Sequence, residues 1–257
     1  MHGLFDLTGK TAVVTGAGRG IGEGNATMLA EAGANVVCAA RSADQIEHTA
    51  RAINANNEGG RAITQPTDVS SMDAMEALAQ RAMDEFGRLD IWVNNAGGSL
   101  ISAPLAELDP AEWDKTLAVN LSSIFYSVQA AVPHLGEGSA MVNISSLAAV
   151  EPFPGSAHYS AAKAGVLMLT RTLSMELGPR TRVNAILPGF VPTDTVKKAL
   201  NMTDEDFGPL LEQLALPAGR LGTPRDIAAL VLYLVSPASE WVTGQCIQAS
   251  GKPSSGS

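Results

Sequence analysis

Several kinds of residue are scarce in this chain of 257, and each scarcity removes a class of function. Cysteine occurs twice, at Cys38 and Cys246, far apart and each inside an apolar run. No CxxC pair or secreted disulfide framework can be built from them, so both read as buried thiols acting as small hydrophobes. The four histidines, at positions 2, 48, 134 and 158, fall in no ligand spacing, and no metal site is expected. Lys and Arg number 17 against 26 Asp and Glu, for a net charge of -9, and the basic residues form no cluster. A phosphate-backbone binder carries the opposite sign, so nucleic acid is not an expected partner. The opening MHGLFDLTGK lacks a basic stretch followed by an apolar one, so no signal peptide is read there. The longest apolar run, Leu117 to Leu135, is interrupted by Asn120, Ser122, Ser123 and Gln129 and reads as a buried helix rather than a membrane span. A soluble, cytoplasmic protein without membrane partners is the expectation.

What is present is a regular alternation. With 46% hydrophobic and 17% charged residues the composition is globular. Strand-like runs fall at Thr11–Thr15, Asn35–Ala40, Arg61–Thr67, Ile91–Asn94, Ala140–Ser145, Arg182–Leu187 and Gln245–Ala249. They are apolar without alternation, as parallel strands covered on both faces must be. Amphipathic stretches separate them; in Met72–Phe86, Met75, Leu78, Ala79, Ala82 and Met83 share one side. This predicts an α/β fold: a single Rossmann-type, doubly wound, seven-stranded parallel sheet with helices on both faces. No Pro/Ser linker divides the chain, so residues 1–257 are expected to form one domain. The stretch from about 190 to 222 breaks the rhythm with Pro192, Gly208, Pro209, Pro217, Gly219 and Gly222, and reads as a substrate loop or lid. The small, polar tail from Gly251 is expected to fray.

The first strand runs into Thr15-Gly16-Ala17-Gly18-Arg19-Gly20-Ile21-Gly22, which opens a helix. Glycine lets the backbone turn sharply and approach a pyrophosphate, and the helix N-terminus offers unpaired N–H groups to it. The spacing is TGxxxGIG rather than GxGxxG. It is followed in order by Asn94-Asn95-Ala96-Gly97, Asn120, Ser146, Tyr159-Ser160-Ala161-Ala162-Lys163, and Pro188-Gly189 with Thr193. On these motifs the chain resembles the short-chain dehydrogenase/reductase family from about Leu7 to Gly251. The stretches Arg220-Leu221-Gly222 and Trp241-Val242-Thr243-Gly244-Gln245 look like those of bacterial hydroxysteroid dehydrogenases and 3-oxoacyl-carrier-protein reductases. One departure is Lys252, where many relatives carry a further glycine.

Tyr159 and Lys163 stand four apart, on one face of a helix. Ketone reduction needs a proton donor at the carbonyl oxygen, and lowering a tyrosine from about 10 to about 7 takes roughly 4 kcal/mol. A neighbouring ammonium and an oxidised nicotinamide are the expected sources. The resemblance implies that Lys163 also holds the nicotinamide ribose and that Ser146, thirteen residues before the tyrosine, donates to the substrate oxygen. Ser145 is expected to face the other side of the strand. Asn120 has two readings, a core amide or, by resemblance, the residue that bends its helix and holds a proton-relaying water. Asn94, Ala96 and Gly97 lie at the carboxyl edge of the sheet, where Rossmann ligands bind. By resemblance Asp68 and Val69 contact the adenine, and Thr193, beside Val191, reaches the nicotinamide amide or a phosphate.

Cofactor choice turns on the end of the second strand. An NAD(H) site places an acid there, but this chain has Ala40 followed by Arg41, with Arg19 nearby in the glycine turn. NADP(H) is therefore expected over NAD(H), since a guanidinium pairs with the 2′-phosphate. The nearest acid, Asp44, is explained by helix capping and the helix dipole. The expected activity is interconversion of a small apolar ketone and a secondary alcohol. Ser99, Leu147, Glu151, Phe153, His158, Phe190 and Val191 are the candidate pocket residues, with His158 able to face either pocket or solvent. An NAD-dependent hydroxysteroid dehydrogenase, or a non-catalytic NADP(H) sensor on the same scaffold, is the alternative. Surplus apolar surface on the helices over Asp109–Leu135 and Ser156–Leu177, with the resemblance, predicts a homotetramer.

Overall fold

The computed structural model describes residues 3–56, 59–98, 101–200 and 202–253. Its centre is a seven-stranded parallel sheet of order β3-β2-β1-β4-β5-β6-β7. The strands are β1 (Thr11–Thr15), β2 (Asn35–Ala40), β3 (Ala62–Pro66), β4 (Leu89–Asn94), β5 (Leu135–Ile144), β6 (Thr181–Pro188) and β7 (Cys246–Ala249). Because neighbouring residues of a strand point to opposite faces, each strand feeds two cores. Val14, Val36 and Cys38 pack against α1 (Gly20–Glu31), α2 (Ala43–Ala55) and α9 (Pro224–Val235) through Leu29, Ile46 and Val231. Val13, Val37, Trp92 and Met141 pack the other way, against α3 (Met72–Phe86), α5 (Ser123–Ala131) and α6 (Ala157–Leu177). Buried on both faces, the strands need no polar alternation, which is why their sequences show none.

Strand order reverses between β1 and β4, so the loops leaving these two strands diverge and open a crevice at their carboxyl ends. β5 begins five residues before the expected Ala140, because Gly136, Glu137 and Gly138 are exposed and break the apolar run that marks a strand. The β4–β5 register shifts between Leu89 and Ile91 to accommodate that start.

The apolar run from Leu117 is not one helix. α4 (Pro110–Leu117), N-capped by Asp109 through a 2.9 Å bond from the Ala111 N–H, is followed by one wide π-helical turn, Ala118–Ser122, and then α5. Leu135 belongs to β5. Among the described residues no helix is long and apolar enough to cross a membrane. After β6 come α7 (Asp194–Leu200) and α8 (Phe207–Leu214), short helices that leave the sheet before α9 returns to it.

Candidate active site and cofactor cleft

A cleft of about 550 Å³ occupies the crevice at the carboxyl ends of β1 and β4. One wall is the glycine turn. Gly16 has φ +68°, and a Cβ there would sit 2.8 Å from Asn95 Nδ2; a Cβ on Gly22 would lie 2.0 Å from the Gly16 carbonyl oxygen. The turn thus closes only with hydrogen at both positions. Arg19 precedes α1 without a side-chain cap, so the helix enters the cleft with its first N–H groups facing outward. This cradle suits a pyrophosphate. Thr193 stands across from it, with its methyl 3.0 Å from where a Gly20 Cβ would be.

Thr15 fastens the turn to the neighbouring strand: its Oγ1 accepts from the N–H of Asn95 and of Ala96, each at 3.0 Å, while Asn95 Nδ2 donates to the Thr15 carbonyl at 2.8 Å. Asn95, not Asn94, therefore reaches the cleft. Asn94 is buried below it, accepting from Trp92 Nε1 at 2.9 Å and donating to Asn143 Oδ1 at 2.8 Å. The first amide of the pair completes a core ladder, and the second braces the binding turn.

The far end of the cleft holds Ser146, Tyr159, Lys163 and Asn120 together. Ser146 stands close enough to Tyr159 for its hydroxyl to pull the phenol's pKa down. Lys163 Nζ donates to the Ile144 carbonyl at 2.9 Å and lies 5.7 Å from the Tyr159 ring centroid. Ser145 also borders the cleft, against the expectation that it faces away, and its hydroxyl ties β5 to α6 by donating to the Lys163 carbonyl at 2.9 Å. Asn120 sits in the π-helical turn. Its Oδ1 accepts from the Gly98 N–H at 2.9 Å, and its Nδ2 donates to the Thr116 and Gly98 carbonyls at 3.0 and 3.2 Å. The widened turn presents this amide to the loop after β4, so the core-amide and helix-distortion readings both describe it.

The electrostatics depart from expectation in one respect. Burial raises the Tyr159 phenol above its ordinary value, and the Ser146 hydroxyl only partly offsets this. Lys163, which is fully buried, is pushed down to about 8. The protein's own groups thus do not bring Tyr159 toward neutrality; in the free protein the lysine is the group that titrates close to it.

Gly16, Gly18, Arg19, Gly20, Ile21, Gly22, Arg41, Asp68, Val69, Ala96, Gly97, Pro188, Gly189, Val191 and Thr193 all line the cleft. Ser70 hydrogen-bonds to Asp68 and holds its carboxyl below the ordinary range, with Arg41 adding a weaker pull. Asp44 does not line the cleft, but Gln45 does, 2.7 Å from where a Gly18 Cβ would be. Ser42 starts α2 without capping it, so capping by that residue is not what Asp44 accompanies. Sequence reasoning also missed Lys115 and Thr116; the periodicity that places Thr116 one turn before Asn120 was the available signal.

Of the pocket candidates among the described residues, only Val191 lines this cleft. Ser99 lies outside the described residues. Phe190 stacks edge-on against Phe207 at 5.9 Å and lines an adjoining cavity of about 420 Å³. Leu147 is buried and Phe153 exposed. His158 faces neither cleft nor solvent: it is fully buried, and among the described residues neither ring nitrogen has a hydrogen-bond partner. Burial lowers its pKa, with the Glu112 carboxylate opposing. The native state then binds fewer protons than the unfolded chain once pH falls below the ordinary histidine value of about 6.5. Stability is expected to decline from that pH downward, and His158→Leu to flatten the decline at no cost at pH 8. Urea midpoints from pH 8 to pH 5 check this; an unchanged slope in the variant would reject it.

The family model described as enoyl-(acyl carrier protein) reductase matches residues 16–251. The chain belongs to the short-chain dehydrogenase/reductase family. The 3β-hydroxysteroid dehydrogenase 1 of Eggerthella lenta is 38% identical over 96% of this chain and 94% of its own length. The 3-oxoacyl-[acyl-carrier-protein] reductase of Vibrio cholerae is 37% identical over 96% and 98%. Among solved structures, a Sinorhizobium meliloti dehydrogenase/reductase superposes with TM-score 0.90 at 36% identity, covering 98% of this chain and 97% of that one. A 7α-hydroxysteroid dehydrogenase, complexed with NADH and 7-oxo glycochenodeoxycholic acid, gives 0.87 at 36% identity over 96% and 95%. As a short-chain dehydrogenase/reductase the chain is an oxidoreductase acting between carbonyl and CH–OH with an NAD(P) cofactor.

Proposed function

We propose that this short-chain dehydrogenase/reductase is an NADP(H)-dependent enzyme interconverting an apolar ketone and its secondary alcohol, the whole chain working as one catalytic domain in the cytoplasm. The observation that carries the reading is the gathering of Ser146, Tyr159 and Lys163 at the end of a cleft whose other wall is a phosphate-sized glycine cradle. A nicotinamide dinucleotide, when bound along that cleft, would supply the hydride. Tyr159 gives its phenolic proton to the carbonyl oxygen, and Ser146 donates a hydrogen bond to the same oxygen as negative charge develops on it. Lys163 holds a positive charge near the phenol oxygen and favours its ionised form. Asn120 keeps the loop after β4 in place through Gly98 and orients a water toward Lys163. Gly16, Gly18, Gly20, Ile21 and Gly22 would hold the pyrophosphate, with Thr193 reaching a phosphate or the nicotinamide amide. Arg19 and Arg41 would hold the 2′-phosphate, Asp68 and Val69 the adenine, and Ala96, Gly97, Pro188, Gly189 and Val191 the ribose and nicotinamide. Residues 190–222 form the substrate lid.

The relatives suggest two substrate classes, oxosteroids and 3-oxoacyl thioesters. Cofactor oxidation with a 3-oxosteroid, a 7-oxo bile acid and a 3-oxoacyl thioester tests the proposal. Turnover of none, with cofactor bound, would favour a sensor. An NAD(H) preference is the second reading, favoured by the NADH in the 7α-hydroxysteroid dehydrogenase complex.

Assembly is expected to be a homotetramer. Phe125 on α5 and Met168 and Met175 on α6 are 54%, 59% and 83% exposed in the single chain, more apolar surface than a free helix pair keeps. Covering each is worth about 1.5–3 kcal/mol at full burial. Light scattering at micromolar concentration should give a fourfold mass, and Met175→Glu a smaller one. A monomeric wild type overturns this.

A further inference from the structure

Lys252, in the tail after β7, has a side chain with a defined destination. Its Nζ lies 2.8 Å from Glu151 Oε2, a residue 101 positions earlier. Both side chains are largely shielded, at 34% and 17% exposure, so the pair is less screened than an ordinary surface contact.

Each partner is rigidly tied to a different part of the site. On one side, the turn after β5 is hydrogen-bonded back at every step. Ser146 Oγ accepts from the Ala148 N–H at 3.2 Å, and the Ser146 carbonyl accepts from Ala149 at 3.0 Å. The Leu147 carbonyl accepts from the N–H groups of Val150 and Glu151 at 3.0 and 2.9 Å. Glu151 is therefore the outer end of a stiff turn that begins at Ser146. On the other side, the tail after β7 is clamped to two elements. The Ala249 carbonyl accepts from the Gly189 N–H at 2.8 Å, and the Gly251 carbonyl from the Ala218 N–H at 3.0 Å, in the segment returning from α8. Gly222 in turn donates to the Phe190 carbonyl at 3.0 Å. The Lys252–Glu151 contact ties the serine turn to the tail, and through the tail to the return segment and the Gly189 turn.

We propose that Lys252 and Glu151 are a positioning pair that holds the C-terminal tail and the serine turn together as the outer wall of the substrate site. The proposal rests on the assignment of Ser146 to the reacting end of the cleft. Breaking the pair leaves the hydrogen bonds within the Ser146 turn intact, so chemistry on a seated substrate is little changed while seating weakens.

The test uses the full-length protein as Glu151→Gln, Lys252→Met, Lys252→Arg and the swap Glu151→Lys with Lys252→Glu. Hydrogen exchange is followed across 147–155 and 216–222, and kcat and KM are measured for whichever ketone of the three classes above turns over fastest. Both neutral variants are expected to exchange faster in 147–155 and to raise ketone KM by about three- to tenfold, the effect of one partly shielded ion pair. The kcat should stay within about twofold by the same reasoning. Lys252→Arg is expected to match wild type and the swap to recover most of the loss; should the swapped chain not fold, Lys252→Arg carries the rescue. Unchanged exchange in 147–155 in both neutral variants overturns the proposal, as does a kcat loss at constant KM. Faster exchange in a protein that turns over no ketone upholds the pair and overturns the catalytic reading instead.

Discussion

Tyr159→Phe is expected to lower kcat by about 10²–10⁴-fold, the usual span for a positioned general acid, or roughly 3–5 kcal/mol of barrier. The ring stays, so packing against Lys163 and the dissociation constant for NADPH should be little altered; only the phenolic O–H with its transferable proton goes. Steady-state turnover and fluorescence titration of NADPH, made on the same preparation, separate the two. A variant retaining more than a few per cent of wild-type kcat would show that the proton comes from elsewhere. The pH profile adds a second constraint. Because burial pushes Lys163 down to about 8 in the free protein, its positive charge is present below that pH and lost above it. The kcat/KM for reduction, which reports the free enzyme, is expected to fall on the alkaline side with an apparent pKa close to 8. Lys163→Arg keeps its charge at every accessible pH and should abolish that limb even if its overall rate is poor.

Replacing Ala40 with Asp and Arg41 with Ile is expected to shift preference from NADPH toward NADH. Losing one charge-assisted contact to the 2′-phosphate costs about 1.5–3 kcal/mol, or ten- to a hundredfold in NADPH affinity. The new carboxylate should in addition accept from the ribose hydroxyls of NADH and repel a phosphate. In the structure both positions line the cleft beside Arg19, Ser42 and Gln45, and no acid from α2 lines it with them; Asp68, the nearby carboxylate, is held by Ser70. The measurement is kcat/KM for both cofactors with one working ketone. A wild-type enzyme that prefers NADH would sink the cofactor assignment while leaving Tyr159, Ser146 and Lys163 where they are.

How much of this is legible in the sequence depends on how far apart along the chain the interacting residues are. The glycine turn is local: a strand, four glycines and a helix in succession dictate its shape, and Gly16 and Gly22 prove to be positions where a side chain cannot fit. Tyr159 and Lys163 are one helical turn apart, so periodicity alone brings them to one face. The strand pattern was legible because burial on both faces demands uninterrupted apolar residues. The early start of β5 was not, since its first residues are exposed glycines and a glutamate with no such demand on them.

The rest was decided by contacts between distant segments. Asn94 and Asn95 are identical side chains in adjacent positions, and nothing in their order says which faces the cleft. Strand parity turns Asn94 toward Asn143, 49 residues away, and leaves Asn95 to Thr15, 80 residues away. His158 is polar and next to Tyr159, yet packing encloses it completely. The ionic state of the site follows the same rule: burial, a tertiary property, raises Tyr159 and lowers Lys163, against what their spacing suggested. Lys252 marked only a departure from a pattern until folding laid it against Glu151. The sequence by itself determined the α/β order, the cradle and the tyrosine–lysine pair, because those depend on neighbours within a few residues along the chain. Which amide, which charge and which loop complete the site depended on how strands and tail come together in space, and only the tertiary structure decided that.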